Sequence, residues 1–336
     1  MDPVIAEVTR GGLVESQHSG AAVVVDAAGA VVFATGDVDQ LVYSRSAVKA
    51  LLALPLVETG AADRLGVSED EIALACSSHS GEEVHVAAAT SMLRKAGRDF
   101  SVLECGVQWP SNDAASRRLA ASGAVASALH NNCSGKHSGF ICLACDRGED
   151  PAGYVHHDHP TMLVVTVALA EMTGATLDAR NRAVDGCSIP TFAVPLTSLA
   201  LGFARLGTGQ GMHADRARAA ARIRAAVAAH PMMVAGTGRF CTQLMTALGT
   251  RVFGKSGAEG VYCAAIPEAG LGLAVKCDDG AGRAAQVAMA ALIARFLSGN
   301  GGEAVPQALR RPVLKNWNGI AVGEVRPAGD LRFGGA

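Results

Sequence analysis

Lysine is scarce in this chain, which has only six lysines among its 29 lysine and arginine residues. Arginine therefore carries most of the positive charge. An arginine side chain keeps its proton in proteins, whereas a lysine can be tuned to a neutral amine. Three lysines stand in compact motifs and are candidates for a base or a metal ligand: Lys49 in Ser46-Ala47-Val48-Lys49, Lys136 in Cys133-Ser134-Gly135-Lys136, and Lys255 in Lys255-Ser256-Gly257.

An excess of charge of one sign is also absent. The formal net charge is −2, which argues against general nucleic-acid binding, because that binding needs a strongly basic surface. The arginines between residues 216 and 224 recur among alanines at helical spacing. They are better explained as the solvated face of a helix. We therefore expect no nucleic-acid partner.

Long apolar runs are missing as well. The longest, such as residues 162–170, are too short to cross a bilayer. The start, Met1-Asp2-Pro3, lacks the basic and apolar pattern of a secretory leader. The nine cysteines are scattered and odd in number, which fits a reducing compartment better than a disulfide framework. These features predict a cytoplasmic protein that does not bind membranes.

The composition is that of a well-buried globular chain, with 336 residues of which 49% are hydrophobic and 18% charged. β-Branched segments occupy the first forty residues and return after residue 251, with helical periodicity between them. The expected fold is α/β (α+β), with a mostly antiparallel sheet built from both termini and an inserted helical lobe. Residues 1–58 and 249–336 would form the sheet lobe, residues 59–248 the mainly helical lobe, together making one compact catalytic unit.

Ser46 and Lys49 are the first candidates for catalysis. Residues 44–56 are predicted to be helical, so this pair shares one helix face. Lysine can deprotonate serine only if burial or a nearby cation lowers the pKa of its amine. Lys255-Ser256-Gly257, near a late strand, would supply that cation. A Ser-x-x-Lys helix with a late Lys-Ser/Thr-Gly strand is used by class A β-lactamases and penicillin-binding proteins. Their Ser-Asp-Asn motif has no match here, which weighs against a β-lactamase.

Ser78 and His79 lie between an apolar run at residues 72–75, interpreted as a strand, and a helix predicted to begin at a capping box of Ser80 and Glu83. At such a junction Ser78 or His79 could project into a cleft. Alternatively, these serines only satisfy backbone donors at the start of the helix.

Cys133, Lys136 and Cys187 are candidate metal ligands. Two thiolates together with nitrogen or oxygen donors can complete a tetrahedral zinc shell. The alternative is that the two cysteines are small buried residues at turns.

Five blocks in this order resemble the rhizobial-type (class 3) L-asparaginases of the asparaginase II family, and the resemblance covers about residues 4–325. The blocks are Ser44-Arg45-Ser46-Ala47-Val48-Lys49, Ser77-Ser78-His79-Ser80-Gly81-Glu82, Asn131-Asn132-Cys133-Ser134-Gly135-Lys136-His137, Val184-Asp185-Gly186-Cys187 and Lys255-Ser256-Gly257-Ala258-Glu259-Gly260.

The resemblance implies a fold like that of serine β-lactamases and glutaminases, a homodimer, and hydrolysis of L-asparagine to L-aspartate and ammonia. It maps two Ser-Lys tandems onto Ser46 with Lys49 and Ser78 with Lys255. It also maps a supportive zinc site onto Cys133, Lys136 and Cys187, with Asp185 near the water of the metal.

The mechanism expected from this mapping is acyl transfer, with Ser46 as the nucleophile and Lys49 as its base. Arg45, and alternatively His79, would receive the α-carboxylate of the substrate. The alternatives are a glutaminase or another Ser-Lys amidohydrolase of the β-lactamase fold and, from a different class, a zinc-stabilised binding module without turnover.

Overall fold

A computed structural model describes residues 1–297 and 301–333 of the chain. It contains eleven strands within these residues. They are β1 (Val4–Arg10), β2 (Leu13–Asp26), β3 (Val31–Thr35), β4 (Leu41–Tyr43), β5 (Arg182–Val184), β6 (Pro190–Pro195), β7 (Phe253–Ser256), β8 (Val261–Ile266), β9 (Leu271–Cys277), β10 (Val313–Lys315) and β11 (Ala321–Pro327).

Eight of these strands form one antiparallel sheet that joins the two ends of the chain. Its order is β10-β11-β1-β2-β9-β8-β7, with β3 paired to β2. Ala6 of β1 lies opposite Pro327 of β11, and Ala22 of β2 lies opposite Val275 of β9. The expected α/β class, with a mostly antiparallel sheet built from both termini, is confirmed.

Fifteen α-helices occur among the described residues, besides short 3₁₀ turns. They are α1 (Lys49–Leu52), α2 (Leu54–Glu58), α3 (Ala61–Arg64), α4 (Glu69–Ala75), α5 (Glu83–Lys95), α6 (Asp113–Ala121), α7 (Ser134–Asp146), α8 (Pro160–Thr173), α9 (Leu196–Thr208), α10 (Ala214–Ala229), α11 (Pro231–Ala235), α12 (Phe240–Leu248), α13 (Gly282–Phe296), α14 (Gly301–Ala304) and α15 (Gln307–Arg310). None of the helices in the described part of the chain is long and apolar enough to cross a membrane.

Two helices cover the sheet and bury its apolar side chains. α13 packs against β8, β9 and β11, and α9 packs against β2, β8 and β9. The approach of α9 is close, because a Cβ atom on Gly272 of β9 would lie 1.9 Å from the carbonyl oxygen of Ala200. Only glycine fits there.

α9 belongs to residues 59–248, so part of the expected helical lobe contributes to the sheet layer. The expected 249–336 segment includes residues 298–300 and 334–336, which lie outside the described residues.

A second sheet has three short strands in the order β4-β6-β5. It pairs residues 41–43, near the start of the chain, with the segment 182–195. Val42 of β4 lies opposite Val194 of β6, and Ala183 of β5 lies opposite Thr191 of β6. This sheet places the turn that follows β4 next to the turn between β5 and β6. The two turns carry Arg45 and Asp185, and the sequence pattern did not predict that they meet.

Three local predictions are wrong. The helix expected over residues 44–56 is a 3₁₀ turn, Arg45–Val48, followed by α1 and α2, with Pro55 in the first turn of α2. Proline has no backbone N–H to continue a helix. The run at residues 72–75 belongs to helix α4, not to a strand. The N-cap of α5 is Glu82 paired with His85, instead of Ser80 with Glu83.

Candidate functional site

Lys49 and Lys255 converge on the hydroxyl group of Ser78. Each Nζ atom lies 2.9 Å from Ser78 Oγ. Lys49 comes from α1, Lys255 from β7, and Ser78 from the loop between α4 and α5. Both lysines are 1% exposed, while Ser78 is half-buried. Three of the four expected Ser-Lys residues therefore meet at one place, assembled from distant parts of the chain.

The Lys49 amine has two further partners. It lies 2.6 Å from the carbonyl oxygen of Ser77 and 3.1 Å from Cys133 Sγ. A lysine ammonium has three N–H donors and no acceptor. The three partners of Lys49 therefore match a protonated amine in this resting arrangement.

Ser46 is half-buried in the 3₁₀ turn three residues before Lys49. In the described residues no hydrogen bond joins its hydroxyl to Lys49, because the Lys49 amine is directed to Ser77, Ser78 and Cys133. The preceding residue, Arg45, has φ of +47°. This left-handed conformation is strained for a non-glycine residue, and such strain collects at functional turns. The turn rests on Gly257, where a Cβ atom would lie 3.1 Å from Ala47 N.

The two amines have different electrostatic surroundings. Burial is the main cause that lowers the pKa of Lys255 to about 7, and the charge of Lys49 adds to it. The remaining ionisable groups that act on Lys255 are Cys241, Cys133 and Arg239. The sequence predicted that Lys255 would be a cation that lowers the pKa of Lys49, but the lowered pKa is that of Lys255, with Lys49 as the neighbouring cation. Both amines lie within hydrogen-bond distance of Ser78 Oγ, so this hydroxyl joins them in one hydrogen-bonded chain.

A pocket opens beside Lys49. Arg45 Nε lies 2.6 Å from Asp185 Oδ1, and the Arg45 side chain is 29% exposed. Burial tends to raise the pKa of the Asp185 carboxyl. The charge of Lys136 and the hydrogen bond from Arg45 have the opposite and larger effect, so the pKa lies below its usual range. The pocket is lined by residues from the 3₁₀ turn, α1, α7, α8 and the β5–β6 region: Ser44, Arg45, Val48, Lys49, Leu52, Lys136, Leu169, Asp185, Ile189, Pro190 and Thr191.

The expected metal ligands also come together. Lys136 Nζ lies 2.9 Å from Cys187 Sγ, which lies 3.5 Å from Asp185 Oδ2. A hydrogen bond from the Cys187 thiol, helped by Lys136 and Lys49, holds the pKa of the Cys133 thiol well below its usual value. Sharing that proton with Cys133 raises the pKa of Cys187, and burial raises it further. Burial opposes the charge on Lys136, yet Cys133 and Cys187 raise the pKa of its amine.

This donor set fits the chemistry of a zinc site. Two sulfurs, a buried amine and a carboxylate are brought together, and zinc accepts sulfur, nitrogen and oxygen donors in a tetrahedron. Lys136 would have to release its proton to become a ligand. Binding should therefore weaken as the pH falls.

The match to a known family now decides the identity. The family model described as L-asparaginase II matches residues 6–327. This chain belongs to the L-asparaginase II family. The match includes every candidate residue of the site. It supports a hydrolase that acts on an amide of a small molecule.

Similarity to solved structures is more distant, and no curated protein sequence matches this member of the L-asparaginase II family. A β-lactamase from Mycobacterium bovis is 16% identical with a TM-score of 0.45, and the alignment covers 83% of this chain and 95% of that chain. A protein named Mglu is 18% identical with a TM-score of 0.38, and the alignment covers 89% of this chain and 73% of that chain. At these identities and scores the similarity says nothing about activity.

His79 is placed differently from the expected carboxylate-binding role. It is fully buried, its Nε2 atom lies 2.9 Å from Ser134 Oγ, and its Nδ1 atom accepts a hydrogen bond from Gly81 N. Burial lowers the pKa of its imidazole well below the usual value. Both ring nitrogens of this neutral imidazole are occupied, which leaves none for a substrate.

A separate group of potential ligands lies on the large sheet, where His18 Nδ1 is 2.6 Å and Cys277 Sγ 2.9 Å from the Asp279 carboxylate. These side chains already satisfy one another, and Arg283 Nε lies 3.2 Å from His18 Nε2. A cation in that position disfavours a metal ion, and we assign none to this group.

Proposed function

We propose that this member of the L-asparaginase II family hydrolyses the side-chain amide of L-asparagine, giving L-aspartate and ammonia through an acyl-enzyme. One observation carries the proposal: two buried lysines, Lys49 and Lys255, lie 2.9 Å from one serine hydroxyl, and Lys49 directly follows the strained turn that carries a second serine, Ser46. This arrangement supplies a base for a serine nucleophile. We also retain a homodimer and a cytoplasmic location as proposals, from the resemblance and the composition.

Lys49 is the base in this proposal. Ser78 and Lys255 take up the proton of Lys49 and so bring its amine into the neutral form that can act as a base. When Lys255 loses its proton, Ser78 can give its own proton to Lys255 and take one from Lys49. The result is a neutral Lys49 amine, with no change in the total number of protons. The protons move along the two hydrogen bonds to Ser78, and the Lys49 side chain then turns from Ser78 toward Ser46.

Ser46 is the nucleophile in this proposal. The Ser78 hydroxyl lies between two amines and acts as a bridge. Within the described residues the Ser46 hydroxyl makes no hydrogen bond to Lys49, so that bond does not have to be broken before Ser46 meets a substrate. Neutral Lys49 takes the Ser46 proton while Oγ attacks the amide carbon. The proton passes to the leaving nitrogen, ammonia departs, and the ester that remains on Ser46 is hydrolysed by water. Backbone N–H groups of the turn would hold the oxyanion.

Arg45 binds the α-carboxylate of the substrate in this scheme. Its side chain is partly exposed, lines the pocket beside Lys49, and is oriented by the bond to Asp185. A planar guanidinium is well suited to a carboxylate. We do not retain His79 for this role.

We further propose that Cys133, Lys136 and Cys187 hold a zinc ion, with Asp185 binding through water. The bound ion would orient the substrate and hold the shape of the pocket. The residues of the chain would still perform the proton transfers.

Replacing Cys133 with alanine is expected to lower the bound zinc, because one of the three direct ligands is lost. It should also raise the Michaelis constant for asparagine, because the pocket next to Lys49 loses its support. Elemental analysis of the purified protein and steady-state kinetics measure the two effects. Cys142→Ala, at a buried cysteine of α7, is the matched control. Unchanged zinc content in Cys133→Ala would remove Cys133 from the site.

The pH dependence follows from the lowered pKa of Lys255. A lysine is neutral above its pKa, so the relay is available above a pH of about 7 and blocked below it. We expect kcat/KM to rise about tenfold for each pH unit below that value and to level off above it. Lys315→Gln, at an exposed lysine, should keep this profile. A rate independent of pH between about 6 and 8 would contradict the relay.

A coupled ammonia assay tests the proposed function. The purified protein is given L-asparagine, L-glutamine and a chromogenic cephalosporin, each with and without a chelator. We expect ammonia from asparagine, less from glutamine, and no opening of the cephalosporin. A preference for glutamine would make the protein a glutaminase. Bound zinc without turnover of any amide would support the non-catalytic binding module.

A further inference from the structure

We propose that Thr191 is a substrate-binding residue whose hydroxyl donates a hydrogen bond to the α-carboxylate of the substrate, beside Arg45. The inference rests on the proposed function and adds a residue that the family resemblance did not indicate. No motif marks Thr191 in the sequence, since it only follows Pro190 at the start of a short strand.

The first observation is an unpaired polar atom. Thr191 is 7% exposed, and within the described residues its Oγ1 atom is buried without a hydrogen-bond partner. Buried hydroxyl groups in folded proteins are nearly always paired. A group left unpaired is therefore informative, because binding of a ligand that pairs with it recovers the lost hydrogen bond.

The second observation is the place of Thr191 in the fold. It lies in β6 opposite Ala183 of β5, and it lines the same pocket as Lys49 and Arg45. Lys49 of α1, the proposed base, and Arg45 of the 3₁₀ turn line the pocket as well. We assign the reacting amide to the Lys49 side and the rest of the substrate to the β6 side.

The charges of the pocket select the ligand group. The Arg45 guanidinium lines the pocket together with Thr191, is partly exposed, and is oriented by its bond to Asp185. An anionic group is favoured in such surroundings. A hydroxyl group can donate to a carboxylate, and one that is unpaired does so without first breaking another bond. The α-carboxylate of asparagine fits these requirements.

Thr191→Val tests the inference because valine has nearly the same shape and lacks the hydroxyl. The variant should fold, and its melting temperature should equal or exceed that of the wild type, since no hydrogen bond is lost. Its kcat/KM is measured with L-asparagine, with succinamate, which lacks the α-amino group, and with 3-aminopropanamide, which lacks the α-carboxylate.

We expect a loss of about tenfold or more for asparagine and succinamate, which corresponds to one hydrogen bond to a charged group. The rate with 3-aminopropanamide should stay at its wild-type value. Thr191→Ser, which keeps the hydroxyl, should restore the preference for compounds with an α-carboxylate.

Three results would overturn the assignment. An equal loss with all three amides would indicate a structural role, and a loss restricted to the two amides with an amino group would assign Thr191 to the ammonium. Unchanged kinetics would mean that the hydroxyl meets only water. Binding of L-aspartate, measured by calorimetry, should also weaken in Thr191→Val. That measurement needs no turnover, so it separates failure of this inference from failure of the asparaginase proposal.

Discussion

Lys49→Arg should lower kcat for asparagine hydrolysis by about 10³-fold, within the range for loss of a general base. Arginine retains the positive charge but cannot release its proton, so it cannot accept the proton of Ser46. We expect the guanidinium to keep a hydrogen bond to Ser78 while the base is lost. Steady-state ammonia release, measured on protein shown by circular dichroism to be folded, gives the size of the effect.

Two companion variants make the Lys49 result specific. Lys49→Met removes the charge and should be as inactive as Lys49→Arg, because neither side chain is a base. Lys95→Arg alters a lysine that forms an ion pair with Glu71 at 2.6 Å and should remain active. If Lys49→Arg turned over like the wild type while Lys49→Met did not, Lys49 would act through its charge and not as the base.

Ser46→Ala has the other large expected effect, a loss of at least about 10⁴-fold in kcat, as for other serine nucleophiles. No ester can form without the Ser46 oxygen. Ser78→Ala removes only the bridge between the two lysines and should cost about 10²- to 10³-fold, the size of a proton-transfer contribution. Intact-protein mass spectrometry after rapid quenching should detect an acyl adduct in Ser78→Ala and none in Ser46→Ala.

The reverse pattern would assign the nucleophile to Ser78. In that case Ser78→Ala would form no adduct, and Ser46→Ala would retain acylation. Thr242→Ala, at a hydroxyl in α12 that bonds to Gly236 O at 2.7 Å, is a control for the loss of a partly buried hydroxyl elsewhere. It should keep most of the activity.

The sequence predicted the large sheet because β-branched runs at both ends have no other simple burial scheme. It also predicted helices between these runs, and most of the long helices lie there. Short elements were not predictable. β4 and β5 contain three residues each, too few for a periodic pattern to be recognised. The three-stranded sheet that brings Arg45 to Asp185 was missed for this reason.

The candidate site was predicted in its residue types but not in its contacts. Ser78 is 29 residues from Lys49 and 177 residues from Lys255 in the chain, so the bridge depends on tertiary packing. The sequence favoured a direct pair of Ser46 and Lys49, since spacing reports a shared face but not where a long side chain points. The unpaired hydroxyl of Thr191 has no signal in the sequence.

Hydroxylamine trapping during asparagine turnover tests the central claim most directly. If an aspartyl ester forms on a serine, hydroxylamine competes with water and yields β-aspartyl hydroxamate without slowing ammonia release. We expect the hydroxamate to increase with hydroxylamine concentration at the expense of aspartate, and to be absent with Ser46→Ala. Release of ammonia and aspartate with no hydroxamate at any hydroxylamine concentration would contradict the serine acyl-enzyme.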